Sequence, residues 1–217
     1  MSRSAVRKYE SPLRRSQAAA TRQAVINAAT TLFVERGFVA TSVDAIALAA
    51  GVSRATVFTA VGGKGVLLKT AYDVALVGDD EPVPMPMRPW AQGVRLATTP
   101  GAVLEAYADL LLVLAARVGA ISEAIRGAAS ADDTVREVWA KIEDERRVGG
   151  ANIVRILEER GGIRPGLDPV VAADLIWLFN DPGLYVRLVS QRGWTADAWR
   201  DWLARTLRAQ LLDGRPA

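Results

Sequence analysis

Residues 41–58 read TSVDAIALAAGVSRATVF. Two stretches of helical apolar spacing lie there with only Ala50, Gly51, Val52 and Ser53 between them. Two short helices joined so tightly have to cross steeply, and the crossing demands particular residue types. Ala47 is small where the second helix passes, and Gly51 tolerates the positive φ of an abrupt turn. Val52 plugs the small core that Ile46 and Val57 close from either side. Thr41 precedes Asp44 by three residues, a capping-box spacing with Thr41 as N-cap, and Ser53 is of the type that caps the second helix. A small residue, Gly four positions later and then Val is the spacing of a DNA-binding helix-turn-helix. An ordinary helical hairpin accounts for any one of these residues but poorly for the set.

The rest of the chain is helical in pattern. Over 18–36 the apolar residues Val25, Ile26, Ala29, Leu32 and Phe33 recur on one face, and Gly37 follows as a helix stop. Gly62 and Gly63 end the helix begun at Ser53, and a longer one runs over 64–77. The prolines of GDDEPVPMPMRP over 78–89 exclude a helix and leave an ordered loop or linker, and 93–101 is turn-rich. Helical patterns follow over 101–118, 119–129, 131–160, 168–191 and 195–212, with a kink expected at Pro182. No alternating strand pattern occurs. The expected fold class is therefore all-α, with a flexible basic arm over 1–16, an N-terminal three-helix domain carrying the helix-turn-helix over 17–65, and a larger helical domain over 66–217.

Composition narrows the function. Half of the 217 residues are apolar, enough for a substantial core, while Cys and His are both absent. That removes disulfides, thiol catalysis, the commonest general base and the commonest metal ligand. No pair of carboxylates stands out at a catalytic spacing, and Gly62-Gly63-Lys64-Gly65 lacks the spacing of a phosphate loop. The expectation is no enzyme, no catalytic residue, no metal and no cofactor. The N-terminus shows no apolar signal region, and the longest apolar run, 110–116, is too short for a bilayer. A cytoplasmic protein with no membrane partner is expected. Charge is uneven: residues 1–64 carry +6 and residues 65–217 carry −3. The polyanion-binding surface therefore belongs at the N-terminus. Arg3, Arg7, Lys8, Arg14 and Arg15 make the arm either a follower of phosphates or an idle tail.

One family is built on these residues. Ile26, Ala28-Ala29, Leu32-Phe33, Glu35 to Phe38, Thr41 to Val43, Ile46-Ala47, Ala49 to Ser53 and Ala55 to Phe58, followed by GGKGVLL, resemble the tetracycline-repressor (TetR) family of bacterial regulators over about residues 20–70. The resemblance implies an all-helical homodimer, a variable effector pocket in each subunit, and release from DNA when the pocket fills. Two departures stand out. Where the family usually carries an aromatic residue, a variable one, a histidine and a phenylalanine, this chain has Phe58, Thr59, Ala60 and Val61, so the hydroxyl and imidazole that commonly hold the DNA backbone are missing. Where the fourth helix usually opens polar-Lys-acidic, this chain has Gly63, Lys64 and Gly65.

Candidate roles follow. Thr41 and Ser42, with the first amides of their helix, face one phosphate. Arg54, Ala55 and Thr59 lie on the outward face of the recognition helix beside Phe58, with Arg54 either reading guanine or merely solvated. Thr56 meets a phosphate or a base. Lys64 opposes the macrodipole at a helix start, a cost that a nearby phosphate turns into a gain. Tyr107, Leu111, Leu114, Ile125, Trp139, Ile142, Phe179 and Asn180 are the candidates for an apolar effector pocket, with ordinary core as the alternative for each. The last two helices carry Leu175, Ile176, Leu178, Phe179, Leu184, Leu188, Trp199, Trp202, Leu203, Leu207 and Leu211 and are the expected homodimer seam. The reading is a ligand-responsive regulator that binds a double-stranded DNA operator and is released by a small-molecule effector. The alternative is a helical small-molecule-binding protein whose DNA binding is weakened or lost.

Overall fold

The computed structural model describes residues 12–212, and among them every regular element is helical. The first helix, α1 (Pro12–Ala40), begins inside the stretch expected to be an arm. Pro12 suits a first turn, and Leu13, Arg14, Arg15, Gln17 and Ala18 to Ala20 are good helix formers, so residues 12–16 extend the helix. The remainder of the expected arm, residues 1–11, lies outside the described residues. Helical geometry in α1 breaks at Gly37 (φ 77°, ψ 168°).

Two short helices follow, α2 (Val43–Ala49) and α3 (Arg54–Ala60), and then α4 (Lys64–Val77). The chain divides into two compact units between Ala71 and Tyr72, within α4. In the first unit α1, α2 and α3 pack on one another. Val25, Ile26, Phe33, Ile46, Val57 and Leu67 are completely buried there, and Phe33 stacks on Phe38 with ring centroids 5.6 Å apart.

The second unit is built on two long helices, α6 (Pro100–Ala128) and α7 (Asp133–Glu159). Around them pack the short α5 (Gly93–Leu96), α8 (Pro169–Phe179), α9 (Pro182–Tyr185) and α10 (Ala196–Leu211). The two segments expected over 101–129 are one helix. Gly119 does not interrupt it but admits a neighbour, because a Cβ there would lie 2.8 Å from Cγ2 of Val186. The segment expected over 168–191 is broken rather than kinked. Pro182 cannot continue α8 and instead opens α9, with the Asp181 carboxylate accepting from the Gly183 amide at 2.8 Å as its cap. A π-helical turn, Val186–Gln191, completes this stretch.

Residues 78–89 form an ordered loop that includes a 3₁₀ turn at Met85–Met87. Arg88 organises it from within: its guanidinium donates to both oxygens of Asp79 at 2.5 and 2.8 Å and to the Val83 carbonyl at 3.2 Å. No single helix among the described residues is long and apolar enough to cross a membrane.

Candidate DNA interface and effector cavity

The axes of α2 and α3 meet at a bend of 93°. The turn between them is a Schellman motif. Gly51 sits at φ 67°, its amide donates to the Leu48 carbonyl at 3.2 Å, and the Val52 amide donates to the Ala47 carbonyl at 3.0 Å. Ser53 caps α3 as expected, accepting from the Thr56 amide at 3.1 Å.

The cap of α2 falls one residue later than the capping-box spacing predicts. Ser42, not Thr41, accepts from the Ala45 amide, at 3.1 Å. Thr41 is buried; its hydroxyl donates to the Gly37 carbonyl at 2.7 Å and its amide to the Phe38 carbonyl at 3.1 Å. Having used both donors to close the α1–α2 corner, Thr41 has none left for a phosphate, whereas Ser42 is exposed.

Arg54, Ala55, Phe58 and Thr59 are exposed on α3 and Thr56 is half-buried. The Thr56 hydroxyl is 2.8 Å from that of Ser53, and the Thr59 hydroxyl donates to the Ala55 carbonyl at 2.9 Å. Arg54 reaches back across the turn to the Asp44 carboxylate, 2.6 Å away, and lies 5.6 Å from the Phe58 ring centre. Lys64 Nζ lies 4.0 Å from the centre of the Phe38 ring. Beyond the expected residues, Arg22 of α1 donates to the Ala60 carbonyl at 2.7 Å, satisfying an end carbonyl of the recognition helix. Its place on an otherwise apolar helix face was the available signal.

The second unit holds two adjoining cavities. The inner one measures about 280 Å³ and the outer about 600 Å³, and Met85, Leu111, Leu114, Gly149 and Asn180 border both. Of the expected pocket residues, Leu111, Leu114, Ile142, Phe179 and Asn180 line the inner cavity, and Tyr107 lines the outer. Ile125 and Trp139 line neither. Ile125 is completely buried in the core, and the Trp139 ring carries the Arg126 guanidinium 5.0 Å from its centre.

Polar groups on the inner wall are mostly paired. Arg146, with nine-tenths of its side chain buried, meets Glu143 at 2.5 Å and donates to the Trp177 carbonyl at 2.8 Å, while the Trp177 indole donates to Glu143 at 3.0 Å. Asp181 is held by Arg126. Burial opposes ionisation of Asp181, but donation from Arg126 and the Gly183 amide outweighs it and holds the carboxyl below its ordinary value. Burial pushes the Tyr107 phenol well above its usual range against the opposing charge of Arg146, and Asn180 hydrogen-bonds to it. Arg146 and Asp181 were missed because each looks like an ordinary helix-surface charge until α7, α8 and α9 are packed.

Residues 25–71 match the family model of bacterial regulatory proteins of the tetR family. Over those residues the N-terminal unit is similar to the DNA-binding domain of TetR-type regulators. A curated relative, the uncharacterized HTH-type transcriptional regulator YdeS of Bacillus subtilis (strain 168), is 28% identical over 158 residues, covering 72% of this chain and 74% of its own. Among solved structures, the fold is similar to a putative transcriptional regulator from Saccharomonospora viridis crystallised with choline (TM-score 0.64, 18% identity, 90% of this chain and 98% of that one). It is also similar to FadR of Bacillus subtilis crystallised with stearoyl-CoA (TM-score 0.66, 17% identity, 85% and 96%).

Against the TetR-type helix-turn-helix that residues 25–71 match, the departures at α3 gain a physical meaning. Phe58 and Ala60 stand where the expected hydroxyl and imidazole are missing, and the single cation on α3, Arg54, is paired with a carboxylate.

Proposed function

We propose that this regulator is a cytoplasmic homodimeric repressor that leaves its operator when a small molecule fills the cavity of the second unit. The observation that carries the reading is the pair of adjoining cavities bordered by α6 and α7, lined mainly by Leu, Ile, Val and aromatic side chains with a few polar groups among them. The neighbours crystallised with choline and with stearoyl-CoA support a ligand-holding role for such a unit, and two such unlike ligands leave the class to this chain's own lining. Ser42, Arg54, Ala55, Phe58 and Thr59 are the exposed candidates for the operator, with Lys64 on its backbone.

The dimer seam lies mainly on α8. Trp199, Leu203, Leu207 and Leu211 of α10 are consumed by the subunit's own core, and the outward face of α10 carries Asp197, Asp201, Arg205 and Arg208. Val170, Val171 and Leu178 of α8, with Trp194 beyond it, remain exposed and apolar. The test is fluorescence anisotropy of the full-length protein on DNA from upstream of its own and its neighbouring genes. Saturable, sequence-selective binding by a species of twice the chain mass supports the reading. The pairing of Arg54 with Asp44 favours one alternative, a ligand-binding protein with weakened DNA affinity, and salt-sensitive binding without sequence selectivity would establish it.

A further inference from the structure

The charge around the outer cavity is one-sided. Its charged lining residues are Arg95, Arg155, Arg160 and Glu159. Glu159 is shared by two guanidiniums, at 2.5 Å from Arg155 and 4.0 Å from Arg160. Arg160 is fixed in place by donating to the Ala97 carbonyl at 2.9 Å. Arg95 makes no ion pair among the described residues. One carboxylate therefore faces three cations beside a wall of Val94, Leu110, Leu111, Leu114, Ile153 and Ile156. The inner cavity is different, because its Arg146 and Asp181 already have partners in Glu143 and Arg126, and its Glu145 is exposed.

We propose that the effector is an amphipathic organic anion, its apolar body against α6 and α7 and its acidic head at Arg95, Arg155 and Arg160. This rests on the reading of the cavity as the effector site. An acid head replaces water around guanidiniums that are only partly neutralised, and charge-assisted hydrogen bonds to such groups are among the stronger polar contacts available. A cation of the same length meets net like charge at the same mouth and is rejected.

The test is titration calorimetry of the full-length protein at neutral pH with decanoate, decan-1-ol and decyltrimethylammonium, each kept below self-association. Decanoate is expected to bind about tenfold more tightly than the alcohol, and the ammonium not measurably. The double variant Arg95→Gln, Arg155→Gln is expected to weaken decanoate about tenfold and leave decanol unchanged. Both side chains are exposed, so folding survives, which circular dichroism checks. Alcohol or ammonium binding as tightly as decanoate overturns the anion assignment and leaves the cavity as a ligand site. Failure of all three to bind overturns the cavity reading and the assignment with it.

Discussion

The Arg54 guanidinium lies 2.6 Å from the Asp44 carboxylate, joining the two helices of the helix-turn-helix across their exposed side. Both side chains are well exposed, so the pair adds little to stability. Its consequence is electrostatic, because it places a negative charge beside the recognition helix. Asp44→Asn is expected to tighten binding to all DNA sequences a few-fold and to steepen the salt dependence, with unfolding unchanged within about 0.5 kcal/mol. Weaker binding in the variant, read by anisotropy at two salt concentrations, would mean that Asp44 positions Arg54 for a base.

Lys64→Ala is expected to weaken binding to every sequence alike and to flatten the salt dependence by about one unit of slope, the loss of one phosphate contact. The same change removes the contact with the Phe38 ring, so a loss of about 0.5–1 kcal/mol in stability accompanies it. A sequence-selective effect would place Lys64 off the DNA backbone.

Arg3, Arg7 and Lys8 lie ahead of the described residues, whereas Arg14 and Arg15 belong to α1. Deletion of residues 1–11 therefore separates the terminal charges from the helix. Lower operator affinity with a shallower salt slope is the expected outcome, since cationic residues that meet phosphates act through counterion release. Unchanged affinity and slope in a folded dimer would make those residues idle.

Asp181 is held ionised by Arg126 and the Gly183 amide, so its folded pKa lies below the unfolded value of 3.8. The stability it contributes is present above that value and is lost as pH falls through the folded pKa. Asp181→Asn is expected to lower stability at neutral pH by about 2 kcal/mol and to flatten the acid limb of the stability profile below pH 3.8. A parallel acid limb in variant and parent, measured by urea unfolding across pH, would show that Asp181 is not a source of that dependence.

Leu178→Asp places a charge on the exposed apolar face of α8. It is expected to convert a dimer to a monomer in light scattering at micromolar protein and to abolish tight operator binding, while leaving helical content unchanged. A dimer that survives the substitution would move the seam elsewhere.

How much was legible differs from residue to residue. The turn at Gly51, the Ser53 cap and the burial of Ile46, Ala47 and Val57 follow from spacing alone, because a Schellman turn and a side-chain cap are closed by groups within five residues of one another. Local chemistry of that kind is written directly in residue order. At Thr41 and Ser42 two adjacent cap residues compete, and the choice belongs to the α1–α2 corner, where the Thr41 hydroxyl finds the Gly37 carbonyl.

The cavity, by contrast, was decided by tertiary structure. Apolar periodicity marked Leu111, Leu114 and Ile142 as inward-facing, and it marked Ile125 in the same way. Nothing in the period distinguishes a side chain that meets a neighbour from one that meets a void. That difference arises where α6, α7, α8 and α9 fail to close on one another, and it also sets the charges: Asp181 finds Arg126 from 55 positions away, and Arg160 is anchored to a carbonyl 63 positions back. Residue order determines which faces of these helices are apolar; the angles and distances at which the helices pack determine which part of that surface is core, which is cavity, and which cations are left beside it with too few carboxylates.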